Sequence, residues 1–239
     1  MNVLGIITAR GGSKGIPRKN VAPLLGKPLL AYTAECAQAA RRLTRVILST
    51  DDAEIAKVGI GLGLAVPFMR PAELALSETP TLPVLQHALR FCQQQGEHYD
   101  AVCLLQPTHP LRSADMVDAC IDLLATTGAD SAVTMLPVPH QYNPHWVYLS
   151  AGPGLFRLST GEAAPIPRRQ ELPAAYHREG SVYVTRSGVL LDQNSMYGAR
   201  TAGLLVDPAS SVNIDEPADF ARAELLMRRR NEAAALAAQ

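Results

Sequence analysis

A basic, glycine-rich loop follows the first apolar run of the chain. Residues 9–20 read ARGGSKGIPRKN and carry four cations, Arg10, Lys14, Arg18 and Lys19. A ligand can approach the backbone closely at the three glycines, Gly11, Gly12 and Gly15. Backbone N–H groups and basic side chains together suit the oxygens of a triphosphate. The loop is neither a Walker A motif nor a GxGxxG fingerprint, and the alternative interpretation is a solvated basic turn.

The elements that must position this loop alternate between apolar strands and helices. The predicted strands are Val3–Thr8, Arg45–Thr50, Ala65–Phe68, Ala101–Leu105 and Ser131–Leu136. The predicted helices are Pro28–Ala39, Ala53–Leu62, Thr81–Gln95 and Ala114–Ala125. Such alternation predicts an α/β fold with a mostly parallel, doubly wound (Rossmann-like) sheet. Ligands of such sheets bind at the carboxyl ends of the strands, where the basic loop, Asp51-Asp52, Arg70 and Gln106 fall.

The pattern changes after Pro137. Residues 139–173 are rich in Pro, Gly, His and Arg and show little periodicity, and such a long irregular stretch is usually functional or packed against something else. Strands are predicted again at Ser181–Thr185 and Ala202–Val206, with a terminal helix over Glu216–Arg230 and a fraying tail. We interpret residues 1–239 as one domain with an insert at about 138–175.

Composition excludes several classes of protein. The 22 Lys and Arg residues balance 22 Asp and Glu residues, which argues against a nucleic-acid partner. No run approaches the roughly 20 apolar residues of a membrane helix, and the first residues do not resemble a secretory signal. The four cysteines lack CxxC spacing, so free thiols in a reducing cytoplasm are expected.

Six segments in order along the chain make the sequence resemble the acylneuraminate cytidylyltransferases, also called CMP-sialic acid synthetases. They are ARGGSKGIPRKN, LGKPLLAYT, VILSTDD, RPAEL, LLQPTHPLR and IDEPADF, and the resemblance extends from residue 2 to about 225. It implies that the anomeric hydroxyl of a 2-keto-3-deoxy sugar acid attacks the α-phosphate of CTP. The products are the CMP-sugar and pyrophosphate. It also implies Mg²⁺ as cofactor and a homodimer.

The resemblance implies a nucleotide site in the first half of the chain. Its residues are Ala9, Arg10, Gly11, Gly12, Ser13, Asn20, Arg70 and Thr81. The reaction forms no covalent enzyme intermediate, so the protein mainly positions groups and stabilises charge. The residues expected to do so are Arg10, Lys14, Lys19 and Asp215. An alternative for Thr81 is a polar residue at a helix N-terminus.

The metal site implied by the resemblance lies in SSVNIDEPADF. The family usually has DID at this point, with both aspartates on the metal, whereas this chain has Asn213 and Asp215. Residues two apart on an extended segment project to one side, which suits joint coordination. Because Asn213 supplies no charge, we expect weaker Mg²⁺ binding, with Asp215 as the main ligand. The alternative for Asp215 is a cap of the last helix.

The sugar site implied by the resemblance combines Gln106, Glu179 and the insert. The insert matches the family's dimerisation segment, from which Arg169 and Gln170 would reach the sugar carboxylate in the partner's site. Glu179 stands where the family has an amide near the sugar. Its negative charge is unfavourable there unless Arg178 offsets it or the substrate differs. His109 stands where the family usually has Ser, and we interpret it as a loop residue.

The predicted activity is that of a cytidylyltransferase for a nonulosonic acid of the sialic, legionaminic or pseudaminic type. A CMP-Kdo synthetase is the alternative within the same class. A non-catalytic nucleotide-binding regulator is the alternative from a different class, and Asn213 keeps it open. Glycosyltransferases on this architecture usually carry an aspartate-rich DxD motif, where this chain has LLQPTHP.

Overall fold

The computed structural model describes residues 1–13 and 15–237, and Lys14 therefore lies outside the described residues. The helices are α1 (Leu29–Ala39), α2 (Ala53–Gly61), α3 (Thr81–Gln94), α4 (Ala114–Thr127), α5 (Ser187–Leu191) and α6 (Pro217–Ala237). The strands are β1 (Val3–Thr8), β2 (Pro23–Leu24), β3 (Lys27–Pro28), β4 (Arg45–Ser49), β5 (Ala101–Leu105), β6 (Ser131–Pro137), β7 (Tyr148–Gly152), β8 (Leu155–Leu158), β9 (Tyr176–Arg186) and β10 (Thr201–Leu205).

A six-stranded sheet with the order β10-β6-β9-β5-β1-β4 forms the centre of the molecule. Five of these strands are parallel, and β9 runs antiparallel to both β5 and β6. Alternate residues of β1 pack on opposite faces, Ile7 in the apolar cluster with α1 and α4 and Ile6 in the cluster with α3. Helices therefore cover both faces, and the predicted doubly wound, mostly parallel α/β sheet is confirmed.

The strand predicted at Ala65–Phe68 is wrong. Only isolated bridges form here, from Ala65 to Ile47 and from Met69 to Thr50, beside the edge strand β4. Pro67 interrupts the short run and has no N–H to donate to a ladder, which confines such a segment to a sheet edge.

The last helix is longer than predicted. It continues to Ala237 instead of fraying after Arg230, because the tail is rich in alanine and other strong helix formers. Across residues 1–13 and 15–237, no helix combines the length and the apolar character needed to cross a membrane.

The insert contains more regular structure than the sequence predicts. Strands β7 and β8 pair as an antiparallel hairpin, and Phe156 on β8 is 68% exposed. The base of the insert is held by side-chain bonds to the backbone. Asn143 Nδ2 donates to Pro173 O at 2.9 Å, and Trp146 Nε1 donates to Ile166 O at 2.7 Å.

Strand β9 begins five residues earlier than the predicted Ser181, and a bulge interrupts it. Its register with β6 shifts between Val133 and Met135, so that Thr134 faces the bulged segment. Gly180 adopts a φ of 98°, which favours glycine, and Val182 N donates to Thr134 Oγ1 at 3.2 Å. Because β9 runs antiparallel to β5 and β6, its early residues lie towards the carboxyl ends of the parallel strands.

Candidate active site

A cleft of about 470 Å³ opens beyond the carboxyl ends of β1 and β5. Its walls come from the basic loop, the segment before α3, the loop after β5 and the segment before α6. The predicted site residues that line it are Arg10, Ser13, Lys19, Asn20, Arg70, Thr81, Gln106 and Asp215. The fold thus brings together most of the predicted nucleotide site with two residues predicted for the metal and the sugar.

The backbone of the basic loop is fixed by side chains of neighbouring segments. Asn20 is buried, and its Nδ2 donates to Arg10 O at 2.9 Å. Gly11 N donates to Asp51 Oδ1 at 3.0 Å, and a Cβ on Gly11 would lie 2.7 Å from Asp52 Oδ2. A larger residue at position 11 would therefore displace the loop from the end of β4.

Buried Ala9 continues β1 into this loop, where its N–H donates to Ser49 O at 3.1 Å. Gly12 has open space around its Cα, since a Cβ at this position would have nothing of the described chain within 4 Å. Neither Ala9 nor Gly12 lines the cleft with a side chain, so any contact with a ligand would be through their backbone.

The four cations of the loop do not share one role. Arg18 forms ion pairs with Asp52 and Glu54 at the N-terminus of α2, so its charge is directed away from the cleft. This pairing removes Arg18 from the predicted cation cluster. Lys14 lies outside the described residues, and its predicted role stays a prediction.

Arg10 and Lys19 supply positive charge to the cleft. Arg10 lines the cleft, and its Nη1 donates at 2.9 Å to the carbonyl oxygen of Leu76, which lines the cleft as well. Lys19 is largely buried, with its side chain 13% exposed, and its Nζ donates to Ile214 O at 2.7 Å. Its Nζ also lies 3.1 Å from Asp215 Oδ1. Lys19 therefore joins the basic loop to the segment predicted to bind metal.

Asp215 and Asn213 are in contact, as their spacing predicts. Asn213 Nδ2 donates to Asp215 Oδ2, and the Asp215 side chain is 63% exposed. A Cβ on Gly15 would lie 2.3 Å from Asp215 O, so only glycine permits this approach of the basic loop. The close approach of Gly15 to the Asp215 backbone and the ion pair with Lys19 thus hold the Asp215 carboxylate at the cleft. The carboxylate remains accessible to a ligand.

The alternative role of Asp215 as the helix cap is wrong. The N–H groups of Asp215 and Glu216 donate to Asp219 Oδ2 at 2.9 and 2.8 Å. Asp219, in the first turn of α6, thereby satisfies backbone donors that precede the helix, as the acidic residue of a capping box does. The Asp215 carboxylate therefore does not cap α6.

The donors at this point suit Mg²⁺ rather than an all-protein metal cage. In the described part of the chain, no three His, Cys, Asp or Glu side chains are grouped closely enough to hold a metal ion. A single exposed carboxylate beside an amide matches a cation that takes its other ligands from phosphates and water. Asp215 and Asn213 thus fit a metal carried in by a triphosphate.

Arg70 supports the base of the cleft. It is buried, and its guanidinium donates from Nε to Ser49 Oγ at 3.0 Å and from Nη2 to the Ser49 carbonyl oxygen. Burial lowers the pKa of Arg70 to about 10, with Asp51 opposing that effect, so the side chain stays protonated at neutral pH. It places a fixed positive charge behind the cleft.

Thr81 occupies the first turn of α3 at the boundary of the cleft. It follows Pro80, and no side chain caps the helix N-terminus through a hydrogen bond. Thr81 is thus the first residue of the helix, as the alternative predicts, and it makes no capping hydrogen bond. Its side chain is only partly buried and lines the cleft.

A second cavity, of about 330 Å³, adjoins the cleft and shares Thr81 and Gln106 with it. Asp215 lines the cleft and its neighbour Asn213 lines the second cavity, so this pair lies where the two spaces meet. The remaining lining residues come from β5 and the loop after it, from β9 and from the segment before β10. They are Leu104, His109, Arg178, Glu179, Gly180, Tyr183, Met196 and Tyr197.

The Glu179 carboxylate is turned into the protein. Its side chain is 4% exposed, Oε2 accepts from Ser181 N at 2.9 Å, and Oε1 accepts from Ser211 Oγ at 2.7 Å. Burial would raise the pKa of Glu179, but the adjacent His109 ring and hydrogen bonds from Ser181 and Ser211 outweigh it and hold the pKa well below its usual range. Buried groups of the protein therefore stabilise the negative charge of Glu179. Arg178, which one alternative expected to offset this charge, does not do so.

Arg178, Tyr183 and Tyr197 are lining residues for which sequence reasoning predicted no direct role. Arg178 is exposed, and its Nη1 donates to Tyr197 Oη at 2.7 Å. No periodic pattern could have grouped them, because the bulge breaks the alternation of β9 and Tyr197 comes from another segment.

Arg169 and Gln170 lie in a short 3-10 turn of the insert, Arg169–Glu171, and both are exposed. Neither lines the cleft or the second cavity of its own chain; Arg169 borders a small groove with Pro137 and Tyr176. Their contact with a partner's sugar site stays a prediction.

A doubly wound sheet with a basic cleft at its carboxyl edge defines a nucleotide-binding α/β protein. The cytidylyltransferase family model matches residues 4–238. The chain is 32% identical to the CMP-N,N'-diacetyllegionaminic acid synthase of Legionella pneumophila, over 98% of this chain and 99% of that protein. It is 31% identical to the pseudaminic acid cytidylyltransferase of Campylobacter jejuni, over 98% and 100%.

The fold is that of a solved CMP:2-keto-3-deoxy-manno-octonic acid synthetase in complex with CTP. The TM-score is 0.71 at 19% identity, over 96% of this chain and all of that one. The chain belongs to the cytidylyltransferase family and is a nucleotidyltransferase.

Proposed function

We propose that this protein transfers CMP from CTP to the anomeric hydroxyl of a nonulosonic sugar acid. The observation that carries this proposal is the meeting of two spaces at Asn213 and Asp215. A basic cleft suits the nucleotide, and a polar cavity beside it suits a sugar. Relatives named for legionaminic and pseudaminic acids support the choice of sugar.

In the proposed reaction, the sugar's anomeric oxygen forms a bond to the α-phosphorus and the bond from that phosphorus to the β-phosphate oxygen breaks. Pyrophosphate leaves with the electron pair of the broken bond. Asp215 orients the hydroxyl and accepts its proton, which then passes to water. Lys19 and Arg10 hold the triphosphate and stabilise charge on the departing pyrophosphate, because backbone carbonyl oxygens hold both side chains at the cleft.

We propose that Asp215, assisted by the amide oxygen of Asn213, holds Mg²⁺ together with CTP. When bound, Mg²⁺ would neutralise charge on the phosphate oxygens. Lys19, 3.1 Å from Asp215, keeps the carboxylate at the cleft before substrates enter. Lys19 therefore orients the Asp215 carboxylate at the cleft although position 213 is not an aspartate.

On the sugar side, Gln106 and Arg178 are the groups that we propose contact the sugar acid. Gln106 lines both the cleft and the second cavity. Arg178 presents an exposed guanidinium that donates a hydrogen bond to Tyr197 Oη. A guanidinium of this kind can bind a carboxylate or the carbonyl oxygen of an acyl group.

We propose that a second copy of the chain covers the insert. Large apolar side chains are exposed together on the hairpin, at Tyr148, Leu149, Leu155 and Phe156. Exposed apolar patches of this kind mark interaction surfaces. In a homodimer, Arg169 and Gln170 would then reach the partner's sugar cavity. Light scattering at micromolar concentration should give the mass of a dimer, and a fully active monomer would contradict this arrangement.

We place the reaction in the cytoplasm, where CTP is made. The four cysteines support this, because all are free and buried. Burial raises the pKa of Cys120 to about 12, so that thiol is unreactive at neutral pH.

Pyrophosphate release tests the proposed function. The protein is incubated with Mg²⁺, each of CTP, UTP, ATP and GTP, and each of legionaminic, pseudaminic, N-acetylneuraminic and 2-keto-3-deoxy-manno-octonic acids. We expect release only with CTP and a nine-carbon acid. Release of pyrophosphate with the eight-carbon acid alone would identify a CMP-Kdo synthetase. Binding of CTP without release of pyrophosphate would indicate a non-catalytic regulator.

A further inference from the structure

A buried carboxylate lies behind the second cavity, in the bulge of β9. Both oxygens of Glu179 accept hydrogen bonds from the protein itself, from Ser181 N and Ser211 Oγ. Only 4% of the side chain is exposed, so these internal donors hold the carboxylate although Glu179 borders the second cavity. A charged group is buried in this way only when its partners are fixed, since losing one leaves a costly unsatisfied charge.

The bond to Ser211 reaches the segment that bears Asn213 and Asp215. Ser211 lies two residues before Asn213, and Ile214 N donates to Thr108 O at 2.8 Å. From the other side, Lys19 Nζ donates to Ile214 O at 2.7 Å. The segment is therefore held from the basic loop, from the loop after β5 and, through Glu179, from β9.

His109 completes the surroundings of this carboxylate. It is buried, and its Nδ1 lies 3.4 Å from Glu179 Oε1 without forming a hydrogen bond to any atom in the part of the chain that the structure describes. A Cβ on Gly180 would lie 3.4 Å from His109 Nε2, so the imidazole fills the space beside the bulge. The imidazole thus packs against the carboxylate and the bulge, at the boundary of the second cavity.

We propose that Glu179 is a positioning residue, which acts through Ser211 to hold the segment 211–215 and does not contact the sugar acid. This inference rests on the proposed function, in which Asp215 orients the sugar hydroxyl and binds Mg²⁺. It gives Glu179 a different role from the one expected where the family has an amide near the sugar.

The two roles have different kinetic consequences. If Glu179 touched the sugar acid, its substitution would raise the KM for that substrate. If Glu179 instead anchors the segment, its substitution lets Asp215 move, which lowers kcat and raises the Mg²⁺ concentration needed. The KM for the sugar acid then changes little.

The experiment is a double-mutant cycle with Glu179→Gln and Ser211→Ala. The glutamine keeps the size of the side chain but offers one acceptor oxygen, and the alanine removes only the hydroxyl. Ser210→Ala is the matched control, because Ser210 Oγ donates to Asp207 O instead. Each variant is assayed for kcat, for the KM of the sugar acid and for Mg²⁺ dependence.

We expect each single variant to lower kcat about tenfold and to raise the half-saturating Mg²⁺ concentration. The kcat of the double variant should be little lower than that of Glu179→Gln, because the effects of substitutions at two residues in contact are not additive. Ser210→Ala should behave as wild type. An unchanged Ser211→Ala variant overturns the proposal, as do a hundredfold loss in the double variant or a rise confined to the KM of the sugar acid.

A second readout does not need turnover. The midpoint of thermal unfolding is measured with CTP over a range of Mg²⁺ concentrations, and the Mg²⁺ concentration for half of the stabilisation should rise in both single variants. A wild-type protein that is stabilised by Mg²⁺ and CTP but releases no pyrophosphate contradicts the proposed function. The same titration then still decides the role of Glu179, and Ser211→Ala decides it if Glu179→Gln does not fold.

Discussion

The nucleotide side and the sugar side of the site present positive charge by different means. On the nucleotide side, Arg10 and Lys19 are fixed by backbone carbonyls and present positive charge to the cleft. On the sugar side, the carboxylate of Glu179 is enclosed by its own donors, and the guanidinium of Arg178 is exposed. Both sides therefore present positive charge, which suits a reaction between two anionic substrates.

The two sides also differ in how the chain builds them. The nucleotide side combines the loop after β1 with Arg70 and the segment before α3, and the loop itself is tightened by local contacts such as that of Asn20 with Arg10. The sugar side combines the loop after β5, the bulge of β9 and the segment before α6. We therefore expect substitutions on the sugar side to alter selectivity and positioning more than nucleotide binding.

The largest effect is expected where the two sides meet. Asp215→Asn should lower turnover about 10³-fold, because it removes the one carboxylate that contacts Asn213 and can serve the metal and the sugar hydroxyl. Turnover is measured by pyrophosphate release over a range of Mg²⁺ concentrations, with Glu216→Gln as the control for removal of a neighbouring charge. Thermal stability should be nearly unchanged, since Asp219 and not Asp215 caps α6. Normal turnover in Asp215→Asn would remove it from the mechanism.

The next effect tests the nucleotide side. Lys19→Ala should lower turnover by about 10²-fold, because a cation positioned at the triphosphate stabilises developing charge. The exposed Lys57 on α2 offers a matched control, and Lys57→Ala should keep wild-type turnover. Circular dichroism of both variants separates a folding defect from a catalytic one. Near-normal turnover in a folded Lys19→Ala protein would contradict the assignment.

A smaller effect is expected on the sugar side. Arg178→Ala should raise the KM for the sugar acid about tenfold and leave the KM for CTP unchanged, because it removes one charged hydrogen-bonding group. The exposed Arg90 on α3 is the control for removal of a surface arginine. If both KM values rise together, Arg178 serves the nucleotide as well, and the contrast between the two sides fails.

The smallest effect is a gain. Asn213→Asp should lower the Mg²⁺ concentration for half-maximal activity a few-fold, because a second carboxylate strengthens binding of a hard cation. The titration is run beside wild type with saturating CTP and sugar acid. An unchanged or raised Mg²⁺ requirement would show that position 213 does not contribute to the metal.

Sequence reasoning succeeded where structure is set locally. The apolar runs of β1, β4, β5 and β6 predict the parallel sheet, and the loop of residues 9–20 lies at its carboxyl edge as expected. The pairing of Asn213 with Asp215 also follows from their spacing. The strand at Ala65–Phe68 failed because Pro67 limits pairing at an edge.

The remainder could not be predicted because it depends on distant pairings. The direction and early start of β9 follow from its neighbours β5 and β6, which no local pattern specifies. The burial of Glu179 depends on Ser211, which is 32 residues away, and the position of Lys19 depends on Ile214, which is 195 residues away. Residue type alone could not reveal that the Arg18 charge is paired with Asp52.

The reversed direction of β9 has a consequence for protein engineering. A parallel strand contributes its last residues to the ligand-binding edge, whereas β9 contributes its first, directly after the insert. The hairpin, the 3-10 turn with Arg169 and the lining residues 178–180 therefore form one continuous cassette. Exchanging residues 138–180 for the equivalent stretch of a relative would therefore replace these parts of the sugar side together and leave the basic loop after β1 in its original context.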